Sequence, residues 1–159
     1  MTDARFEDGD DAPLRLMAQD AEGLGVLAAL VQDAVFPATE MTYAKTRRRF
    51  ALMLNRFRWE ELPAAEAAGR RVERVQSLLV FEDVMAVQSQ GFDRRDKDTV
   101  MSLLDMTFAP GADGTGRVVL VLAGDGEIAL SVESLDVTLR DVTRPYLAPS
   151  GKAPTHPAG

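Results

Sequence analysis

The sequence contains no cysteine and a single histidine, His156. The first absence removes disulfides, thiolate metal sites and thiol nucleophiles together. The second leaves a Ser-His-Asp triad only if a residue four positions from the C-terminus folds back onto the domain. Aromatic residues make up just 6% of the chain, which argues against a stacking platform for single-stranded nucleic acid. There is no run of about 18 apolar residues, so no membrane-spanning helix is expected. The opening dozen residues are acidic and lack the apolar stretch of a secretory leader. Lysine is also scarce: three of the 18 basic residues are Lys and the rest Arg. With abundant alanine, that usage fits GC-rich coding. A cytoplasmic bacterial protein is the expectation.

What is present is the composition of one folded unit. The chain has 159 residues, 46% hydrophobic and 27% charged, enough for a core without covalent staples. Net charge is −7. Asp3, Glu7, Asp8, Asp10 and Asp11 concentrate much of it before Pro13. An acidic chain does not bind nucleic acid through a general basic field. Residues 1–12 are expected to be a disordered acidic arm, 13–147 a single globular domain and 148–159, rich in Pro and Gly, a disordered tail.

Within the domain, Leu14, Leu16 and Ala18 alternate as in a strand. Asp20 is placed to cap a helix whose apolar face is Leu24, Leu27, Ala28 and Val31. Pro37 ends the segment after Gln32. From residue 40 the period is mostly two: a short strand at 41–44, a turn at 45–48 and a long strand over 49–59. There Phe50, Leu52 and Leu54 share one face while Phe57 and Trp59 share the other, so a bulge is expected near Asn55. Residues 62–69 form a loop or one helical turn. Val75, Leu79 and Phe81 share a face, Asp83 turns the chain, and 84–90 is a partner strand. A charged loop at 93–98 precedes 100–108, helix or strand with a strand-like end. The segments 118–122 and 127–132 flank Gly124-Asp125-Gly126, the strongest hairpin signal in the chain. The apolar phase changes once more at Glu133-Ser134. The fold class is α+β and predominantly β: an antiparallel sandwich or partly closed barrel of about eight strands with one N-terminal helix. A pleckstrin-homology-like barrel is the alternative.

Candidate chemistry centres on Asn55-Arg56-Phe57-Arg58-Trp59-Glu60. Arg56 and Arg58 on one face would clamp a phosphate or carboxylate, with Trp59 stacked on a planar ligand and Glu60 as a base. Against this, the two aromatics fill the core, Trp59 largely buried, while the arginines pair with surface acids. Arg47 and Arg48, with Lys45 and Arg49, form the densest basic cluster and a candidate anion or RNA site, or simply a solvated turn. Asp93, Asp96 and Asp98 offer oxygen ligands to a hard cation, but the three interspersed cations compete for them, and turn and capping roles fit better. Residues 111–116 are Gly-rich without the Lys-Ser/Thr of a phosphate loop.

The stretches Leu14-Arg15-Leu16-Met17-Ala18-Gln19-Asp20, Leu30-Val31-Gln32-Asp33-Ala34-Val35, Arg48-Arg49-Phe50, Leu54-Asn55-Arg56-Phe57-Arg58-Trp59-Glu60 and Asp96-Lys97-Asp98, followed by Leu103-Leu104, resemble a bacterial family of uncharacterised proteins, domain-of-unknown-function family 2948. Gly124-Asp125-Gly126-Glu127-Ile128 with Val132-Glu133 completes the likeness, which spans roughly residues 14–140. The resemblance implies a single cytosolic domain and transfers no activity, cofactor or site. The leading expectation is a non-catalytic binding or protein-interaction module with no catalytic residues, cofactor or metal. Its partner is an unidentified protein or small anionic ligand rather than nucleic acid or membrane, and homo-oligomerisation stays open. The alternative is an anion-binding protein or enzyme using Arg56, Arg58, Trp59 and Glu60.

Overall fold

A computed structural model describes residues 12–147. The expected arms lie outside the described residues apart from Ala12, and so does His156. The elements are β1 (Arg15–Ala18), α1 (Ala21–Leu30), β2 (Val35–Pro37), β3 (Met41–Ala44), β4 (Arg49–Phe57), α2 (Leu62–Ala67), β5 (Arg74–Phe81), β6 (Val84–Gln90), β7 (Val100–Pro110), β8 (Gly116–Leu122), β9 (Glu127–Val132) and β10 (Val137–Asp141), with short 3₁₀ turns between several of them.

All ten strands belong to one antiparallel sheet in the order β1-β10-β5-β4-β2-β7-β8-β9-β6, with β3 also on β4. The fold is therefore α+β and predominantly β, as expected, but the strands number ten rather than about eight. The three-residue β2 is too short to show a period, yet it joins the two wings by pairing with both β4 and β7. The sheet is not closed into a barrel, as the pleckstrin-homology-like alternative requires. A second short helix, α2, occupies the segment read as a loop or single turn.

One buried cluster joins the wings. It contains Leu52, Leu54, Leu79 and Leu139 from one side and Leu103, Leu120, Ile128 and Leu130 from the other. The sheet is thus folded so that both wings face a common core, and α1 inserts Leu24, Leu27 and Ala28 into it. The helix starts where the sequence places it: Asp20 Oδ1 accepts from the Gly23 amide at 2.7 Å, satisfying one of the orphan donors of the first turn.

Two local readings need correction. The β4–β5 register runs unbroken from Phe50 opposite Phe81 to Phe57 opposite Arg74, so there is no bulge near Asn55. The core face simply continues through Arg56, which is 0% exposed. Phe57 is buried on the opposite face, under α2, in a second cluster with Ala65 and Val72. At the β8–β9 hairpin, the positive φ angles belong to Gly124 (81°) and Asp125 (68°). The left-handed pair is Gly124-Asp125 rather than Asp125-Gly126, in a three-residue loop closed by the Leu122 amide donating to the Gly126 carbonyl at 2.9 Å.

Candidate functional site

Three strands carry polar residues in their core-facing rows at the same end of the sheet. On β4 the row is Phe50, Leu52, Leu54, Arg56; on β10 it is Val137, Leu139, Asp141; on β5 Ser77 takes its place between Val75 and Leu79. Ser77 lies opposite both Leu54 and Asp141 in the ladders, so the three polar groups converge. The Arg56 guanidinium donates to Asp141 Oδ1 at 3.0 Å and, from the same nitrogen, to Oδ2 at 3.2 Å. Glu60, one turn further along the chain, accepts a two-pronged pair at 2.9 Å each. Ser77 donates to Asp141 at 2.7 Å and accepts from Arg56 Nε at 3.1 Å. Asp141 also takes the Leu14 amide at 2.9 Å, which fastens the start of the domain to its last strand.

Burial alone pulls the Arg56 pKa down, but Glu60 and Asp141 overcome it and the guanidinium is held above its ordinary value. Burial pushes the Glu60 carboxyl up, and Arg56 more than reverses that, leaving it below the ordinary carboxylate range. The donors of Arg56 are committed to groups of the same chain, including the Phe57 carbonyl at 3.1 Å.

Phe57 and Trp59 pack together in the second cluster. Arg58 is 3% exposed and pairs with Glu73 at 2.9 Å. Trp59 is partly buried against the second cluster. Its ring lies 5.6 Å from that of Phe57, and its indole N–H donates to the Gln32 carbonyl at 2.8 Å. Arg74 sits 3.9 Å over the Phe57 ring and donates to Asn55. Burial lowers its pKa, with Tyr146 opposing. Arg56 is held by Asp141 and Glu60 and Arg58 by Glu73, with Glu60 near enough to Arg58 for that charge also to lower the Glu60 pKa. Both guanidiniums are buried against acids of the same chain.

The basic cluster lies at the far end of β4. From Arg49 to Arg56 is seven residues, about 24 Å of extended chain, so the two groups of arginines do not share a site. Arg48 adopts a left-handed conformation, φ 53°, and pairs with Glu133 at 3.1 Å. Arg49 pairs with Glu82 at 3.0 Å, and Arg47 is exposed on the turn. In the charged loop, Asp93 accepts from the Arg95 amide and Asp96 from the Asp98 amide, each at 2.9 Å. Those bonds hold both carboxyls below their ordinary range: for Asp93 the Arg95 amide leads, for Asp96 the Thr99 hydroxyl. These aspartates shape turns, and among the described residues no group of three acids or histidines is placed to hold a metal ion.

A cleft of about 550 Å³ opens elsewhere, where three segments distant in sequence meet. Gln19, Asp20 and Ala21 come from the start of α1, Phe108, Pro110 and Thr115 from the β7–β8 hairpin, and Ser134, Leu135 and Asp136 from the β9–β10 turn. Phe108, Pro110 and Leu135 supply the apolar surface and the other side chains the polar rim. The Phe108 ring lies against Gly116 so closely that a Cβ there would collide with it. A glycine is what lets the aromatic lie flat along the cleft.

A family model described as "Protein of unknown function (DUF2948)" matches residues 14–156. The chain belongs to the DUF2948 family. The match begins one residue before β1 and runs beyond β10, so the family pattern spans the whole described fold of this DUF2948 protein. No curated protein and no solved structure matches it. No helix among its described residues is long and apolar enough to cross a membrane.

Sequence reasoning on this DUF2948 chain missed both the Arg56–Asp141 network and the cleft. For the network a signal exists: Arg56 and Asp141 each fall in phase with an apolar row, two residues past Leu54 and Leu139. For the cleft there is none, because its walls are contributed by residues about 90 and 115 positions apart and only the folded sheet brings them together. Chemically, the network offers cohesion, whereas the cleft offers an open apolar surface edged with hydrogen-bonding groups.

Proposed function

We propose that this DUF2948 protein is a non-catalytic binding module whose ligand occupies the cleft between α1, the β7–β8 hairpin and the β9–β10 turn. The observation that carries the reading is the cleft itself. Its volume of about 550 Å³ lies in the range of small-molecule sites, and an apolar floor with a few polar groups is their usual make-up. Its lining holds two carboxylates, Asp20 and Asp136, and no basic side chain. The net charge of −7 adds to that field. The ligand class this favours is a compact apolar body carrying an amine or another cationic donor. An anion would meet no counter-charge there.

A thermal-shift series with benzylamine and cyclohexylamine against benzoate tests this. The amines raise Tm and benzoate does not. At a hundred times its dissociation constant a ligand adds about 2.7 kcal/mol, a shift of several degrees for a domain of this size. Thr115→Trp, which fills the cleft, abolishes the amine effect. No shift with any amine, or an equal shift in the Trp variant, contradicts the reading.

A further inference from the structure

The polar rim of the cleft is rich in acceptors and poor in donors. Two hydroxyls line it, and both commit their proton within the chain: Thr115 donates to the Ala112 carbonyl and Ser134 to Asp83 Oδ2 at 2.9 Å. Each hydroxyl oxygen keeps a lone pair and has no proton left to give. The two carboxylates differ from one another. Asp20 accepts the Gly23 amide at 2.7 Å and stands at the positive end of α1, so much of its charge is answered inside the fold. Asp136 is fixed through its backbone instead. Its carbonyl accepts from the Glu82 amide at 2.9 Å, and its neighbours Leu135 and Val137 are buried. Among the described residues no group bonds to its carboxylate. Of the lining side chains, the Gln19 amide alone still has protons to donate.

We infer that the head group bound in the cleft is a primary ammonium, recognised by its three N–H donors rather than by charge alone, with Asp136 as its anchor. The inference rests on the cleft being the binding site. A carboxylate and two hydroxyl oxygens form a set of acceptors, and a protonated primary amine is the small cation that brings three donors on one atom. Its bond to the Asp136 carboxylate is charge-assisted, about twice as strong as a neutral one. A quaternary ammonium carries the same charge and no N–H. It would take water from Asp136 and return no hydrogen bond, which is the costly half of the exchange. Sites for quaternary cations enclose them in aromatic faces, and Phe108 is the single aromatic among the described residues that line this cleft. With Pro110 and Leu135 it serves the apolar body of the ligand instead.

A titration of the full chain, followed by ¹H–¹⁵N correlation spectra, tests this with ligands of one ring and one charge. Benzylamine, N-methylbenzylamine, N,N-dimethylbenzylamine and benzyltrimethylammonium carry three, two, one and no N–H when protonated. A cleft of about 550 Å³ has room for the added methyls. Kd rises along the series, by about tenfold or more from first to last. Asp136→Asn flattens the series to uniformly weak binding and leaves the far-UV circular dichroism of the free protein unchanged. Asp20→Asn keeps the helix cap and binds the series as the wild type does. The wild-type series decides by itself, so the test does not depend on how either variant folds. Benzyltrimethylammonium bound as tightly as benzylamine leaves the cleft a cation site and overturns this inference alone, as does a full gradient in Asp136→Asn. No saturable shift with any of the four overturns the cleft reading, and this inference with it.

Discussion

Replacing Arg56 by Met tests the polar network at its centre. The perturbation keeps the length and apolar stem of the side chain but removes the guanidinium. Asp141 would then keep a charge on a side chain 3% exposed, with only the Ser77 hydroxyl and the Leu14 amide to answer it. Breaking a buried ion pair by deleting one partner costs about 3–5 kcal/mol, mostly the burden of the stranded charge. Glu60, 26% exposed, can turn to water, so the lower part of that range applies, about 3–4 kcal/mol. For a domain of this size that lowers Tm by about 8–14 °C. With an m value near 2 kcal/mol/M it moves the urea midpoint down by about 1.5–2 M. Far-UV circular dichroism is the assay, since Trp59 adjoins the altered residues. Adding Asp141→Asn removes the stranded charge, so the double variant loses less than the sum of the singles, with a coupling of about 0.5–3 kcal/mol. A loss below about 1 kcal/mol for Arg56→Met would refute the reasoning. It would show that water reaches the guanidinium and that Arg56 is open to an external anion.

Three further outcomes are expected. Because the folded state holds the Glu60 carboxyl below its ordinary value, its contribution is complete above the unfolded pKa of about 4.3 and is lost as pH falls through the lower folded value. Urea midpoints of the wild type should therefore fall on acidification more steeply than those of Glu60→Gln, and parallel curves would contradict the assignment. Trp59→Phe keeps much of the ring packing but removes the bond to Gln32, for a loss of about 1 kcal/mol by chemical denaturation; a loss above about 3 kcal/mol would show that ring packing outweighs that bond. Gly116→Ala forces the Phe108 ring to move, at a cost of about 1–3 kcal/mol, and amine binding weakens with it; unaltered stability and binding would show that the ring has room.

Much of the architecture was legible because one face of each strand is buried. Alternation in β4, β5 and β10 located the strands, Asp20 marked the start of α1, and two turn residues marked the β8–β9 hairpin. The errors have a common origin in treating charge as a sign of solvent. Arg56 looked like an interruption of the apolar row, so a bulge was needed to explain Phe57. In the fold the row continues through a charge whose acids arrive from β10, 85 residues away, and from the next turn. Trp59, at the aromatic end of the long strand, does pack on the Phe57 cluster, while its indole N–H reaches the Gln32 carbonyl. The two arginine clusters are separate sites because the strand between them is extended. The cleft depends on which loops the strand order gathers at one end of the sheet, and no local pattern carries that information.

The most direct test of the binding reading is a ¹H–¹⁵N correlation spectrum of the full chain titrated with benzylamine, with Thr115→Trp as the comparison. The account predicts saturable shifts concentrated on Gln19, Ala21, Thr115, Ser134 and Asp136, absent for benzoate and absent in the Trp variant. Shifts centred instead on Arg56, Arg58 and Glu60, or on Arg47 and Arg48 with an anion as the effective ligand, would contradict it and place the site on the arginines.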